Sequence, residues 1–500
     1  MKRSKFSLSN YKLLSCDMGE LVPIGLTEVL PGDSIQQATS ALIRCSPMLA
    51  PVMHPVRADI SHWFVPHRLV WEDWEKFITG GPDGMDASVF PTVTIAGGTG
   101  AAVGSLADYL GIPTGVNNIE ASAIPFRGYA MIWNEWFRDQ DLQTPLVIDQ
   151  TSGPDTTTNT ALQNGCWEKD YFTSARPWEQ KGPAITIPLG DSAPVTGISI
   201  RSTDVAATGT TTIGTTPADD WTGTTPAWFD PDVIGFRAQT TGAPNAGTNR
   251  PQVFADLTGA SAITINLLRE AFALQRYEEA RARFGSRYTE YLLYLGIRSS
   301  DARLQRPEYL GGGRQTVQFS EVLQTAEGTD PVGEMRGHGI AASRTNRYRK
   351  YFEEHGYIYS FLCVRPKTIY AQGLPRTWNR RIKEDFWQKE LQHIGQQEVL
   401  NKEIYAAHAT PNGTFGFQDR YDEYRRTEST IAGEFRTTTL DHWHFARIFG
   451  STPALNSDFV KSVPTDRTFA VPSEDVLYVM AKHSIQARRI VASEGTSFIY

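Results

Sequence analysis

The chain has 500 residues, too many for one compact core, since single cores stop growing near ~250–300 residues; it holds either several domains or one core with very large loops. Hydrophobic residues make up 40% of the chain and charged residues 21%, as in folded soluble proteins, which argues against global disorder, collagen and coiled coil. The formal net charge of −7 excludes a protein whose whole surface is polycationic, but a local basic face stays possible.

The sequence shows no sign of a membrane helix, a secretory signal or paired cysteines. No apolar run approaches the roughly 20 residues of a membrane helix, and the first residues, MKRSKFSLSN, lack the apolar segment of a secretory signal. Four cysteines lie far apart without a CxxC pair, which is typical of buried thiols in a reducing cytoplasm. We therefore expect neither membrane insertion nor a disulfide framework.

Strand-like runs are short and widely separated along the chain. They cover residues 21–30, 58–65, 184–189, 316–323, 357–364 and 476–491. In the last run Leu477, Val479 and Ala481 alternate onto one face, as a half-buried strand requires. The strands must pair at long range, and neither a βαβ rhythm nor a repeat is present, so the sequence predicts an all-β core, an antiparallel sandwich or barrel with long excursions.

Helical patterns interrupt these strands. They cover residues 70–78, 127–138, 266–284 and 441–449. The third is the clearest, because Asn266 can cap it and Gly285 stands where a helix would end. We therefore expect helical insertions around the all-β core.

Residues 196–250 differ in composition from the rest of the chain. They are rich in Thr, Gly, Ala and Asp and show no helical period. A disordered linker is one interpretation, but Trp221, Trp228, Phe229 and Phe236 are many large apolar groups for a linker. The alternative, which we favour, is a surface excursion that folds against copies of itself.

Catalytic motifs are missing from the sequence. It contains no P-loop and no GxSxG elbow, and His442 and His444 stand without a metal-binding partner motif, so structural roles are expected for both. Tryptophan-rich acidic runs such as WEDWEKF could line a sugar cleft. A carbohydrate-binding protein or a glycoside-acting enzyme that uses these loops is therefore the alternative function; our own expectation is no enzyme, cofactor or metal.

Basic residues cluster among aromatic ones, a pattern that suits single-stranded nucleic acid because cations follow the backbone and rings stack on bases. A basic N-terminal arm covers residues 1–15, and two further clusters lie near residues 344–350 and 376–383. The candidate contacts are Lys2, Arg3, Lys5, Arg344, Arg347, Arg349, Arg380 and Arg381. Salt bridges between subunits, or a solvated face, are the alternative for each cluster.

Several long segments resemble one known family almost from end to end. They include GELVPIGLTEVLPGDS (19–34), PFRGYAMIWNEWFRDQDL (125–142) and RLQRPEYLGG (303–312). The sequence is similar here to the major capsid proteins of the Microviridae, small single-stranded DNA phages, and most of all to the gokushovirus branch. The similarity covers roughly residues 5–195 and 255–470; no similarity is recognised in 196–250, and the ending SEGTSFIY differs.

This resemblance implies a single jelly-roll capsid domain over residues 1–500, with eight antiparallel strands, long loops and no catalytic site. It implies sixty copies, arranged in pentamers, in a T=1 shell around circular single-stranded DNA, assembled in the bacterial cytoplasm. Residues 196–250 would be the family's variable insertion, a threefold protrusion that contributes to host attachment. Further implied partners are a small basic DNA-binding protein, an internal scaffolding protein, a DNA pilot protein and a host receptor.

Subunit interfaces are expected in the aromatic segments 63–77, 125–142 and 285–313, because uncovered rings would leave apolar patches on a monomer. The candidate interface residues are Trp63, Trp71, Trp74, Trp133, Trp136, Arg306 and Tyr309.

Overall fold

A computed structural model of the chain describes residues 3–95, 100–183, 185, 265–285, 287–325 and 332–493, and the backbone of four short strands between residues 195 and 255. The chain divides into two compact units, one made of Met1–Glu179 and Arg281–Tyr500, the other of Gln180–Ala280. None of the helices in the described ranges is long and apolar enough to cross a membrane.

Strands dominate the described residues. They are β1 (Ser4–Ser7), β2 (Asn10–Cys16), β3 (Val22–Val29), β4 (Ser34–Cys45), β5 (Val56–Pro66), β6 (Thr92–Ile95), β7 (Ile119–Ser122), β8 (Val195–Thr196), β9 (Ile198–Ile200), β10 (Phe236–Ala238), β11 (Phe254–Ala255), β12 (Glu308–Leu323), β13 (Met335–Arg344), β14 (Tyr348–Tyr351), β15 (Gly356–Pro366), β16 (Gln396–Leu400), β17 (Thr414–Asp419) and β18 (Leu477–Arg489). The helices are α1 (Trp74–Thr79), α2 (Leu106–Leu110), α3 (Ile124–Ile132), α4 (Ile265–Phe284), α5 (Tyr288–Tyr294), α6 (Asn401–Ile404) and α7 (Ser457–Val460).

The first unit is built on one large antiparallel sheet. Hydrogen-bonded neighbours follow the order β1-β18-β4-β13-β12-β5-β15-β3, while β2 also pairs with β18 and β14 with β4. Most of these strands are far apart in the chain, as the sequence predicted. The prediction of an all-β antiparallel core with helical insertions is confirmed in its coarse form, a mostly-β protein with one large antiparallel sheet and few helices.

Eight strands of this sheet pair in a nested way. In chain order they are β2, β3, β4, β5, β12, β13, β15 and β18. The first pairs with the last, the second with the seventh, the third with the sixth and the fourth with the fifth. The chain therefore runs out and back like one long hairpin that is folded over on itself.

Period-2 alternation decides which side chains face the interior of the sheet. β18 buries every second residue from Leu477 to Ala487, which confirms the predicted alternation. β4 buries the alternate positions from Ile35 to Cys45 and, in addition, Ala38. Most of the interior is aliphatic, but His483 lies inside with its Nδ1 2.9 Å from the Thr39 hydroxyl oxygen. Buried polar groups of this kind need partners, and this one has them.

The glycine run 311–313 lies where two strands approach closely. β12 pairs first with β5 and from Gln318 onward with β13. A Cβ on Gly312 would lie only 2.3 Å from the carbonyl oxygen of Ile60. No side chain fits there, so residue 312 must be glycine for β12 to lie this close to β5.

A layer of helices covers the outer face of β5, β15 and β3. Trp71, Tyr129 and Trp133 are buried there against Phe361 and other aromatic residues. The predicted helix 127–138 is present as α3 and a π-helical turn, Trp133–Phe137. The fully buried Arg127 of α3 forms an ion pair of 2.7 Å with Asp155, which is equally buried.

Two predictions about helices are wrong. Residues 441–449 form only one 3-10 turn, Asp441–Trp443. The chain is extended after this turn, because the backbone N–H of Arg447 donates to the carbonyl oxygen of Ile369 in a neighbouring segment. That pairing satisfies backbone groups which a helix would have used internally. The predicted cap Asn266 lies inside α4, which begins at Ile265, although Gly285 does follow the helix end.

The second unit contains two small antiparallel pairs, β8 with β11 and β9 with β10. It includes the whole of the predicted insertion, residues 196–250. Trp221, Trp228 and Phe229 lie outside the described residues, and Phe236 is described only as a backbone position of β10. The predicted protrusion therefore stays a prediction.

Candidate nucleic-acid interface

One face of the large sheet carries basic side chains and no acidic ones. It consists of the outward side chains of β1, β2, β4, β13, β14 and β18, and we call it the basic sheet face. None of these six strands contains an aspartate or a glutamate, although the chain has 55 of them. Its exposed cations are Lys5, Arg44, Arg344, Arg349, Lys482 and Arg488.

Strand register brings these cations together. Arg344 of β13 lies opposite Ser40 of β4, which lies opposite Lys482 of β18. Since neighbouring strands are ~4.8 Å apart, the backbone positions of Arg344 and Lys482 are ~10 Å from each other across the sheet. At the end of the sheet Lys5 is paired directly with Arg488.

These charges are not neutralised by the protein. None of the six cations forms an ion pair with a carboxylate in the described part of the chain. By contrast Arg489, which follows the last of them, turns inward and pairs with Asp33 at 3.0 Å. The basic sheet face therefore carries an uncompensated positive potential toward solvent.

Exposed apolar groups lie within the same face. Leu13 of β2, Met480 of β18 and Leu42 of β4 form one row across the sheet, beside the row of Arg44 and Tyr478. They line an open cavity of about 460 Å³. A surface of this kind can bind flat groups through its apolar side chains and negative charge through its cations, without a preference for sequence.

The predicted nucleic-acid contacts fall into two places. Lys5, Arg344 and Arg349 are on the basic sheet face, and Arg3 lies at its edge with its guanidinium 4.9 Å from the ring of Tyr351. Exposed Arg347 is in the loop between β13 and β14, and Lys2 is outside the described residues.

Arg380 and Arg381 belong to a separate segment, between β15 and β16. Arg380 lies 3.8 Å from Glu423 and stacks over the ring of Tyr424 at 4.4 Å. Arg381 is exposed and donates to the carbonyl oxygen of Trp378. These two arginines are thus not part of the basic sheet face.

The predicted N-terminal arm is part of the sheet from Ser4 onward, since β1 and β2 both pair with β18. Lys12 turns to the inner side, where its Nζ donates to the carbonyl oxygens of Pro23 and Tyr109. Burial lowers the pKa of Lys12 to about 8. This lysine has a structural role.

Three cations of the face were missed by sequence reasoning. Arg44 is an isolated outward cation, and Lys482 and Arg488 lie six positions apart in one strand, so none of the three belongs to a dense local cluster. The alternation of β18 was the available signal. It buries Leu477, Val479 and Ala481 on one face and therefore places Lys482 and Arg488 on the other, exposed face.

The predicted interface residues fall into two groups, three that are buried and four that are at least partly exposed. Trp63, Trp71 and Trp133 are buried in the core of their own protomer; the indole of Trp71, for example, donates to Ser152 Oγ at 2.9 Å. Their size is explained by this core, and they offer no surface to a neighbour. We expected these three rings at subunit interfaces because a monomer would leave them uncovered, and that reason is wrong.

The other four predicted interface residues are at least partly exposed, and for them a subunit contact stays a prediction. They are Trp74, Trp136, Arg306 and Tyr309. The guanidinium of Arg306 lies 4.3 Å from the ring of Trp136, and Tyr309 is half exposed.

The structure describes no group of three or more His, Cys, Asp or Glu side chains that could hold a metal ion, within the ranges it covers. His444 has protein partners at both ring nitrogens, the carbonyl oxygen of Phe435 and the backbone N–H of Ala446.

Comparison with known proteins gives the family. The family model "Capsid protein (F protein)" matches residues 1–498. Capsid protein VP1 of Bdellovibrio phage phiMH2K is 38% identical over 95% of this chain and 90% of its own length. VP1 of Chlamydia phage 1 is 34% identical over 95% of this chain and 92% of its own, and VP1 of Spiroplasma virus 4 is 34% identical over 95% and 90%.

These relatives are named as capsid proteins, a structural role and not an enzymatic one. The chain belongs to the F-type capsid protein family and is a major capsid protein of the Microviridae.

Proposed function

We propose that this capsid protein forms a T=1 icosahedral shell of sixty copies around circular single-stranded DNA, and that the basic sheet face binds the DNA. The observation that carries the DNA contact is the set of six exposed cations without a carboxylate partner. A purely structural sheet face would normally mix both signs of charge.

The nested strand pairing supports an eight-stranded jelly roll for the shell-forming domain. Pairing of first with last, second with seventh and so on is the topology of a long hairpin rolled into two packed sheets. That architecture is common in viral capsids.

Exposed apolar groups support self-assembly into pentamers and shells. In and just after α5, Tyr288, Leu293 and Ile297 each leave half or more of their surface uncovered. Monomers rarely leave large contiguous apolar patches in water. Neighbouring copies would cover such groups in a shell.

The basic sheet face suits DNA of any sequence. Cations that neutralise phosphates release counterions, so binding weakens as salt rises. The exposed rings of Tyr11 and Tyr478 can stack on unpaired bases, and each base has a flat face regardless of its identity.

The test is binding of a fluorescent oligo-dT to the unassembled protein over a range of NaCl. Each lost phosphate contact should make the slope of log K against log salt shallower by ~0.7. The triple variant Arg44→Gln/Arg344→Gln/Lys482→Gln should therefore show a slope that is shallower by ~2 and a weaker affinity.

The control variant, Arg283→Gln/Arg314→Gln/Arg425→Gln, changes net charge equally at exposed arginines that do pair with carboxylates. It should bind like the wild type. Equal losses in both triple variants would mean that net charge, and not this face, governs binding.

Residues 196–250 are proposed to form the threefold protrusion that contributes to host attachment. Deletion of residues 205–245 with a short Gly-Ser linker should leave shells intact and reduce adsorption to the host. Normal adsorption of such shells would contradict the attachment role. The DNA-binding, scaffolding and pilot proteins, and assembly in the host cytoplasm, belong to the same proposal.

A further inference from the structure

A second surface of the first unit combines exposed rings with arginines. It spans residues 374–394 together with Tyr424, and we call it the arginine–aromatic ridge. Trp378, Ile382, Phe386 and Trp387 each leave at least half of their surface exposed. Trp387 is held in place through its backbone N–H, which donates to the hydroxyl of Tyr424 at 3.2 Å.

The composition of the ridge favours a protein partner over DNA. Trp, Tyr and Arg are the residue types that dominate binding energy at protein interfaces. Arg380 already has Glu423 at 3.8 Å, and Glu384, Asp385 and Glu390 lie in the same segment, so the ridge mixes both signs of charge, unlike the basic sheet face. Residues 374–394 still carry five cations against three carboxylates. Two of the cations, Lys383 and Lys389, are exposed, and Lys383 lies 3.6 Å from Glu384 of the same segment.

A third surface has the opposite charge. Residues 72–89 comprise helix α1 and the loop that follows it, and we call this segment the acidic knob. The segment has five carboxylates against one lysine, and Glu72, Glu75 and Asp83 among them are exposed. Apolar groups accompany the charges, since Met85, Val89 and Ile78 are each about half or more exposed.

The knob has a defined shape that a partner can recognise. The backbone N–H of Asp86 donates to the carbonyl oxygen of Gly80 at 2.9 Å, and that of Met85 to Asp83 Oδ1 at 3.0 Å. Gly80 and Gly84 take φ values of 82° and 75°, the left-handed conformation that lets the turn close. Little ordering entropy would be lost when such a turn is bound.

We propose that the arginine–aromatic ridge of one copy binds the acidic knob of a second copy, with Lys383 and Lys389 facing Glu72 and Glu75. The contact rests on the proposed self-assembly. Charge of opposite sign on the two surfaces selects this pairing over ridge–ridge or knob–knob contacts. Two different surfaces give a head-to-tail contact, which closes into a ring when the rotation fits.

Charge reversal on each surface tests the contact, with the assembled fraction measured by sedimentation. Glu72→Lys/Glu75→Lys in the knob and Lys383→Glu/Lys389→Glu in the ridge should each lower the assembled fraction by about tenfold, because like charges then meet. A chain with all four changes restores the opposite signs and should recover to within about threefold of the wild type. The control Glu353→Lys/Glu474→Lys, two exposed carboxylates elsewhere, should assemble normally.

Each other result has a definite meaning. Normal assembly of either double variant, equal loss in the control, or no recovery in the fourfold variant overturns the contact. If the ridge variant instead loses oligo-dT affinity while it assembles normally, the ridge is a DNA surface. A wild-type chain that never assembles refutes the shell proposal itself. Where circular dichroism shows that a reversed chain is unfolded, Met85→Ala and Trp378→Ala replace it, and normal assembly of both overturns the contact.

Discussion

Acid should destabilise the protomer through histidines that are buried in neutral form, and His62 allows this to be measured. Burial in the sheet interior lowers the pKa of His62 to about 3, and its Nδ1 lies 2.8 Å from Ser360 Oγ. In the unfolded chain the same imidazole binds a proton near pH 6.5. Between these two values the unfolded state holds one proton more than the folded state.

The sign follows from this difference in bound protons. As pH falls below 6.5, His62 removes ~1.4 kcal/mol of the free energy of unfolding per pH unit, or ~2 kcal/mol by pH 5. Other groups act in the opposite direction; burial raises the pKa of Glu20 to about 7, so its stabilising contribution is present at low pH and is lost as pH rises through that value. The histidine must therefore be isolated by a difference between two proteins.

The substitution His62→Gln provides this difference, because the amide can still bond Ser360 but does not titrate. Urea unfolding of the unassembled protomer at about pH 7, 6 and 5 gives the free energy for each protein. Between pH 7 and pH 5 the wild type should lose ~2 kcal/mol more of its free energy of unfolding than the variant does. The exposed His393→Gln is the control, and parallel curves for the wild type and His62→Gln would refute the reasoning.

Three further changes test other parts of the protomer. Trp71→Ala should lower the free energy of unfolding by ~3–5 kcal/mol because its ring is fully buried, whereas exposed Trp378→Ala should change it by less than about 0.5 kcal/mol; urea unfolding compares the two, and equal effects would contradict the assignment. Arg127→Met leaves the carboxylate of Asp155 buried and unpaired and should cost ~3–5 kcal/mol in the same assay; addition of Asp155→Asn should recover part of this, and no recovery would argue against the ion pair as the cause. Lys12→Met should leave oligo-dT affinity unchanged, since Lys12 points inward; a loss of affinity in fluorescence anisotropy would place it on the DNA side.

The sequence was sufficient where a short-range pattern determines the structure. The alternation in 476–491 predicted β18 and its buried face, and Gly285 marked the end of α4. The local cluster around Arg344 and Arg349 predicted part of the basic sheet face. In each case neighbours in the chain are also neighbours in space.

Long-range pairing set the limit of prediction. Arg44 and Lys482 join one surface only through the pairing of β4 with β18, and no local pattern indicates that pairing. Trp71 and Trp133 were assigned to interfaces because an aromatic segment has the same composition whether its own protomer or a neighbour covers it. Residues 441–449 have a helical composition, but pairing with residue 369 overrides it.

The nested pairing of strands has a consequence for synthesis of the protein. Ser9, in the turn between β1 and β2, bonds to the carbonyl oxygen of Ile485, 476 positions away in the chain. A ribosome must therefore release almost the whole polypeptide before the first strands can find their partner, β18. Until then Lys5 is not aligned with Arg488, and Lys482 is not yet part of the chain. A truncated or unfinished chain would therefore lack this side of the basic sheet face, so the surface that we propose to bind DNA is complete only when the polypeptide is complete.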